Sequence, residues 1–423
     1  MAALFLSYAL PNVEGLRRFA THCVPRNRSL ETYMNSIKVL CSCALLAPGV
    51  SAIANETDPL EIRFCPATEV RTFPLESQRS VQSLVVQNVA VINRGATKVH
   101  LTGIDFELQR DGVAIDTRSI PAADLTRIAT SGQALQKSGM IKLLAFQFCG
   151  SSLIDEHTTL AGPELAQDQA ILITQQPFAY KGHRDALMVR ARAVVDRHSV
   201  AVAKTLPIRS GTSKTKFRFP LVGTWFAAVG PTPHTAHRWA LPEEFAYDIA
   251  KLGAENSSHR GDGRRFEDYY AYGAPVTAAA DGVVVAAADD QSEDLGMLRQ
   301  PDESADAYGA RVQERQAALL TKGTRSIVGN YVVLDHGNGE FSLYAHLQPG
   351  SVRVKTGERV LVGATLAKLG SSGNSTEPHL HFQVCDGPDP LACAGIPVEF
   401  LNVKLPYADY PRPLQSGDVV EAY

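Results

Sequence analysis

Ser372-Gly373-Asn374-Ser375-Thr376-Glu377-Pro378-His379-Leu380-His381-Phe382 is the stretch on which the fold of this chain turns. Side chains at i and i+2 of a strand point to one face, so the imidazoles of His379 and His381 enter the same cleft. A solvent-facing pair in a hairpin would look the same, and the surrounding sequence decides between the two. Leu343-Tyr344-Ala345-His346-Leu347 supplies a third histidine in a second apolar segment, and His237 and Asp248 lie further upstream. Imidazole and carboxylate ligands suit zinc. Three protein ligands leave a fourth position for water, as in a catalytic rather than a structural site.

These pieces occur in a recognisable order. His237-Arg238 leads to Phe245-Ala246-Tyr247-Asp248, then Gly273-Ala274-Pro275-Val276 to Asp281-Gly282-Val283-Val284, then Gly329-Asn330-Tyr331-Val332-Val333, the His346 element and finally His379-Leu380-His381. From about residue 233 to 400, two fifths of the chain, the sequence resembles the M23 family of zinc metallopeptidases, the lysostaphin or LytM-like peptidoglycan endopeptidases. The resemblance implies one zinc per chain, held by His237, Asp248 and His381, with His346 and His379 as the catalytic pair that does not ligate. It leaves open which of the two is the base. In the commonest family pattern the first His and the Asp stand four apart around a glycine; here His237 and Asp248 are eleven apart, similar to a longer variant, and His234 is the rival first ligand.

The amino terminus reads separately. Met34-Asn35-Ser36-Ile37-Lys38, the short apolar run Val39 to Ala47, and Ala52-Ile53-Ala54 have the layout of a secretory signal peptide. The apolar run falls short of the roughly 20 residues a membrane span needs. Residues 1–54 are therefore expected to be a leader with the signal at 34–54, and the mature chain to begin at Asn55 in the periplasm or elsewhere outside the cytoplasm. Export leaves Cys65, Cys149, Cys385 and Cys393 in an oxidising compartment. Cys385 and Cys393 flank a turn-rich loop that can pair them, whereas Cys65 and Cys149 read equally well as free buried thiols.

The 423 residues exceed a typical single domain. A net charge of -3 with 20% charged residues provides no basic field for nucleic acid. The fold class expected is mainly β in two domains. Residues 55–210 alternate apolar runs with turn residues and read as a β-sandwich-like accessory domain, immunoglobulin-like in packing. Its His100, His157, His183 and His198 lack ligand spacing. A small, polar linker at 209–216 precedes the peptidase domain, placed at 211–423 with its core at 233–400.

In that second domain strands are expected at 283–287, 331–334, 341–346, 352–354 and 366–369, with a tight hairpin at Gly337-Asn338-Gly339. His336 reads as part of the hairpin, and His259 as a loop residue. The polar stretch 289–328 reads as an insertion, helical from Ser304 to Lys322, serving either as a lid or as an exposed decoration. The run from Val352 to Gly370 also resembles half of a biotinyl-carrier hairpin, but no lysine stands at its apex. Export and the family resemblance together imply peptidoglycan as the partner, cut at an amide of its stem peptides or cross-links, the D-Ala to diaminopimelate bridge if the source is Gram-negative. The alternatives are a metal-free murein-binding activator of a separate amidase, and a zinc peptidase acting on proteins. A regulatory partner in the envelope remains unassigned.

Overall fold

A computed structural model describes residues 58–76 and 80–423. The leader expected at 1–54 lies outside the described residues. Two β units follow one another along the chain.

The first unit is a two-layer sandwich. Leu60–Cys65, Val70–Pro74, Val81–Asn93 and Gln169–Lys181 form one layer, and Val99–Arg110, Val113–Pro121, Ala186–Val195 and His198–Arg209 the other. A short parallel pairing of Ile208 with Val70 joins the layers at one corner. Leu84, Val86 and Val91 from one side meet Leu101, Ile104 and Phe106 from the other to make the core. Ala186–Val195 alternates buried and half-buried residues, as a strand with one solvated face should. Val81–Asn93 is buried almost throughout, because the second unit and the 140–153 segment cover its other face.

The sandwich also contains a helix, Ala122–Lys137, which an all-strand reading of this region does not include. Leu125, Ala129 and Gly132 fall on its buried side at spacings of four and three, a helical period inside a domain of period-two strands. The disulfide Cys65–Cys149 ties the first strand to the segment beyond this helix.

In the second unit a nine-stranded antiparallel sheet has the central order Gly282–Ala288, Asn330–Asp335, Phe341–Leu347, Leu380–Cys385, Tyr247–Ala250, Gly223–Val229, Val419–Ala422. The expected strand at 352–354 is absent: those residues belong to no ladder, although the Arg353 amide donates to the Leu366 carbonyl at 2.8 Å. Within 289–328, the helix Ala305–Thr321 begins where Ser304 Oγ accepts the amide of Ala307, an N-cap bond. Its far end packs through Leu319 and Leu320 on a buried cluster around Ile327 and Leu343, on which Phe146 of the first unit also packs. The 209–216 connection is docked as well: Glu340 accepts the backbone amides of Lys214 and Thr215 at 2.7 and 2.8 Å.

One strand divides the unit into core and cleft. Along Leu380–Cys385, Leu380, Phe382 and Val384 enter the main core, while His381 and Gln383 line the cavity on the opposite face. Phe382 is fully buried against Phe217, Tyr344 and Phe400, with ring centroids 5.3–6.2 Å apart. Replacing it by Ala is expected to destabilise the protein by about 3–5 kcal/mol, through lost burial plus the void left behind. Denaturant unfolding measures this; an unchanged midpoint would contradict the packing described.

Candidate active site

The cleft is built on neighbouring strands and one loop. Asp248 in Tyr247–Ala250 pairs directly with His381 in Leu380–Cys385, and His381 pairs on its other side with Ala345 in Phe341–Leu347. The sheet ladder thus places the carboxylate beside an imidazole. His237 arrives from outside the sheet, on the 3-10 turn Ala236–Trp239.

The Asp248 carboxylate lies between the two imidazoles. Its Oδ2 is 3.3 Å from His237 Nε2, and its Oδ1 is 3.0 Å from His381 Nδ1. Ligand atoms of all three residues lie within 4.8 Å of one another. His234 is exposed and lines no part of this cavity.

Hydrogen bonds fix which nitrogen His381, His379 and His346 turn inward. Gln383 donates its Nε2 to the Pro390 carbonyl at 2.9 Å, which aims Gln383 Oε1 at His381 Nε2, also 2.9 Å away. His381 Nε2–H therefore donates to Gln383, leaving Nδ1 as the nitrogen facing Asp248. His379 Nδ1 donates to the Glu377 carbonyl at 2.7 Å, and His346 Nδ1 to the Ser372 carbonyl at 2.8 Å. In both, Nε2 is the atom left for proton exchange. Their rings are 4.8 Å apart, and His379 Nε2 also lies 3.5 Å from Asp248 Oδ1.

His346 reaches the cleft by breaking the strand rule. Leu343 and Ala345 line the cavity while Tyr344 enters the core, so strict alternation would send His346 to the core side. Its backbone is left-handed, with φ of 61°, and this turns the side chain back among the cavity residues. Such a conformation costs on the order of 1–3 kcal/mol in a residue with a Cβ and persists where the surroundings impose it. The Ser372 carbonyl and the Gly370 amide, which donates to the His346 carbonyl, impose it here.

Burial works against charge on Asp248, but the neighbouring His237 and His379 hold its carboxyl well below the usual range. Burial also lowers His381, and the Asp248 hydrogen bond and charge outweigh it, raising that imidazole to about 9. Burial, followed by the charges of His379 and His381, pushes His346 well down. The metal-free arrangement thus draws a proton into the position between Asp248 and His381. Two imidazoles and one carboxylate at these separations fit a zinc ion, whose binding displaces such a proton.

The remaining walls come from elsewhere in the unit. Gln316, Ile327 and Val328 bring the insertion to the cavity edge, so 289–328 supplies a wall. His336 bonds the Asp281 carbonyl and Ser342 Oγ and stays in the hairpin. His259 packs on Tyr269, and the sandwich histidines His100, His157, His183 and His198 are exposed. Gln383 is a site residue that the sequence reading passed over, although it continues the same-face series His379, His381, Gln383. The Ser372 and Glu377 carbonyls carried no side-chain signal.

Residues 310–392 match the model of Peptidase family M23, a stretch that includes His346, His379 and His381 but not His237 or Asp248. Among curated relatives, the peptidoglycan DD-endopeptidase ShyA of Vibrio cholerae is 36% identical over 80 residues, which cover 19% of this chain and 16% of that protein. The DD-carboxypeptidase/endopeptidase Mpg of Neisseria meningitidis is 36% identical over 99 residues, 23% of this chain and 21% of the relative. The matches thus span about a fifth or less of those relatives' own lengths. The catalytic domain of lysostaphin from Staphylococcus simulans is similar to 44% of this chain and 95% of its own length, at 18% identity and a TM-score of 0.21. The likeness to peptidase family M23 thus lies in the C-terminal unit, over the residues that carry His346, His379 and His381.

Proposed function

We propose that this protein is an exported zinc endopeptidase that hydrolyses amide bonds in peptidoglycan stem peptides or cross-links. The observation that carries the reading is the carboxylate of Asp248 set between His237 and His381, with two further histidines turned inward by backbone carbonyls. Among the described residues, no helix is long and apolar enough to cross a membrane.

His237, Asp248 and His381 would hold the zinc ion, which would supply Lewis acidity and activate water near neutral pH. The protein's own residues do the rest. His346 Nε2 and His379 Nε2 take up or return a proton, or hydrogen-bond charge developing on the substrate oxygen; terms of this kind contribute roughly 10² to 10⁴ each in rate. Fixing each Nδ1–H on a carbonyl holds these rings in the tautomer the task needs.

Charge on the walls favours an internal bond over a terminal one. Glu243 and Glu377 line the cavity, and among the described residues neither Lys nor Arg does. A free carboxylate next to the scissile bond would meet two carboxylates with no side-chain cation to pair it.

Digestion of purified cross-linked murein tests the reading. Zinc-loaded protein is expected to convert cross-linked dimers to monomers without trimming terminal alanine from the stems. An intact murein profile would instead favour an activator or a peptidase of proteins. His381→Ala is expected to remove both zinc and activity, whereas His379→Ala should keep the metal and lose turnover by about 10² or more. Stoichiometric zinc in His381→Ala would overturn the ligand assignment, and metal loss in His379→Ala would reverse the pair.

Gln383→Leu frees the His381 ring and removes its acceptor, so zinc affinity is expected to fall about 10- to 100-fold. Competition with a chelator of known affinity measures it. Wild-type affinity in that variant would mean that Gln383 does not orient the ligand.

A further inference from the structure

The three proposed ligands are not equally well held. Asp248 and His381 stand in paired strands. His237 stands on a loop of two 3-10 turns, Ala236–Trp239 and Leu241–Glu243, and such short turns have weak internal bonding. Part of what holds this loop comes from its own unit, through Arg238 and Glu244, and part from the sandwich.

Gln87, in Val81–Asn93 of the sandwich, donates its Nε2 to the backbone carbonyl of Arg238 at 2.8 Å, one residue beyond His237. Gln175, in Gln169–Lys181, donates in the same way to the carbonyl of Trp239 at 3.3 Å. The Arg238 side chain is fully buried, paired with Glu244 at 2.6 Å, lying over Phe245 at 4.8 Å and reaching Ser83 Oγ at 3.4 Å. Phe245 in turn packs on Phe73 of the sandwich.

The sandwich strands are locally altered at the residues that make these bonds. The pairing of Val81–Asn93 with Gln169–Lys181 runs Val86 to Gln176 and then Asn88 to Thr174, skipping Gln87 and Gln175. Gln175 has a left-handed φ of 52°. Leu84 and Val86 face the sandwich core, and so do Val89 and Val91, so the strand changes facing across this point. The register is the same on both sides, so one pair is missing from the ladder and neither strand carries an extra residue. Here the interruption releases two amides toward the loop that carries His237.

We propose that the sandwich is a working part of the metal centre, with Gln87 and Gln175 as positioning residues that hold the His237 loop in ligating geometry. The inference rests on the zinc reading above and deepens it. Gln87 is not one of the proposed ligands; it acts through the Arg238 backbone and through Glu244, the partner of the Arg238 side chain. The peptidase unit depends on the sandwich for metal affinity as well as for packing.

The test uses the full chain and reads zinc affinity by chelator competition, beside the melting temperature of the metal-free protein. Gln87→Met, similar in size and without a donor, is expected to weaken zinc binding about 10- to 100-fold, as for other groups that orient a ligand from behind. Asn88→Leu is the control. Asn88 is the adjacent residue, and its buried amide donates to the Gln147 carbonyl within the sandwich at 2.6 Å, without touching the loop. It should lower stability and leave zinc affinity unchanged. Equal zinc affinity in Gln87→Met and wild type, or equal losses in Gln87→Met and Asn88→Leu, overturns the proposal. If Gln87→Met does not fold, Ser83→Ala is read by the same comparison with a smaller expected loss, and wild-type affinity there overturns the proposal. A wild-type protein that binds no zinc overturns both this inference and the reading beneath it, whereas wild-type binding with an indifferent Gln87→Met overturns this inference alone.

Discussion

The second unit is organised by one cross-strand pair, Asp248 opposite His381, because the same register serves both faces of the sheet. On the cleft face it puts a carboxylate against an imidazole. On the other face it puts Tyr247 and Ile249 beside Leu380 and Phe382 in the main core. A slip of one residue would exchange the faces of a strand entirely, burying the imidazole and exposing the ring. The apolar face therefore locks the register, and the register sets the ligand geometry. A buried carboxylate is costly unless paired, and this one is surrounded by His237, His379 and His381 rather than by a lysine or arginine that would neutralise it permanently. Imidazoles can release their protons when a metal binds, so the pairing stabilises the fold without excluding a cation.

Much of this was legible in the sequence because it depends on local periodicity. The His379-Leu380-His381 alternation, the Gly337-Asn338-Gly339 turn and the helix starting after Ser304 all depend on residues within one or two turns of each other. The Cys385–Cys393 pair also closes a short loop, with a sequence separation of 8. Cys65 and Cys149 are separated by 84, and nothing local favoured a bond over two buried thiols. Asp248 and His381 are 133 residues apart, so their juxtaposition was available only through the family resemblance.

The misses have a common physical origin. The helix Ala122–Lys137 was lost in a domain read for period-two alternation, although its buried Leu125, Ala129 and Gly132 show the longer period. The family resemblance alone favours His237 over His234, because both sit near prolines and small residues; burial, which distinguishes them, depends on the folded chain. His346 is named as a catalytic residue by the resemblance, but its conformation has no local signal. Its left-handed backbone comes from bonds to Ser372 and Gly370, residues that carry no histidine-specific signal.

The buried Arg238–Glu244 pair bears on why two units are packed this tightly. Removing both charges from water costs several kcal/mol per ion, and apolar residues of the same volume often serve stability as well or better. Burial here is deep enough to push the Glu244 carboxyl up to about 7 against the opposing pull of Arg238. Stability is thus a poor account of the pair. A guanidinium has a planar fork of fixed geometry, and this one addresses Glu244 and Ser83 while its own backbone carbonyl is held by Gln87. An apolar contact could slide by an ångström at little cost, whereas breaking these directional bonds leaves buried polar groups without partners. The directional arrangement sets the position of the loop, and His237, one residue away, inherits that position.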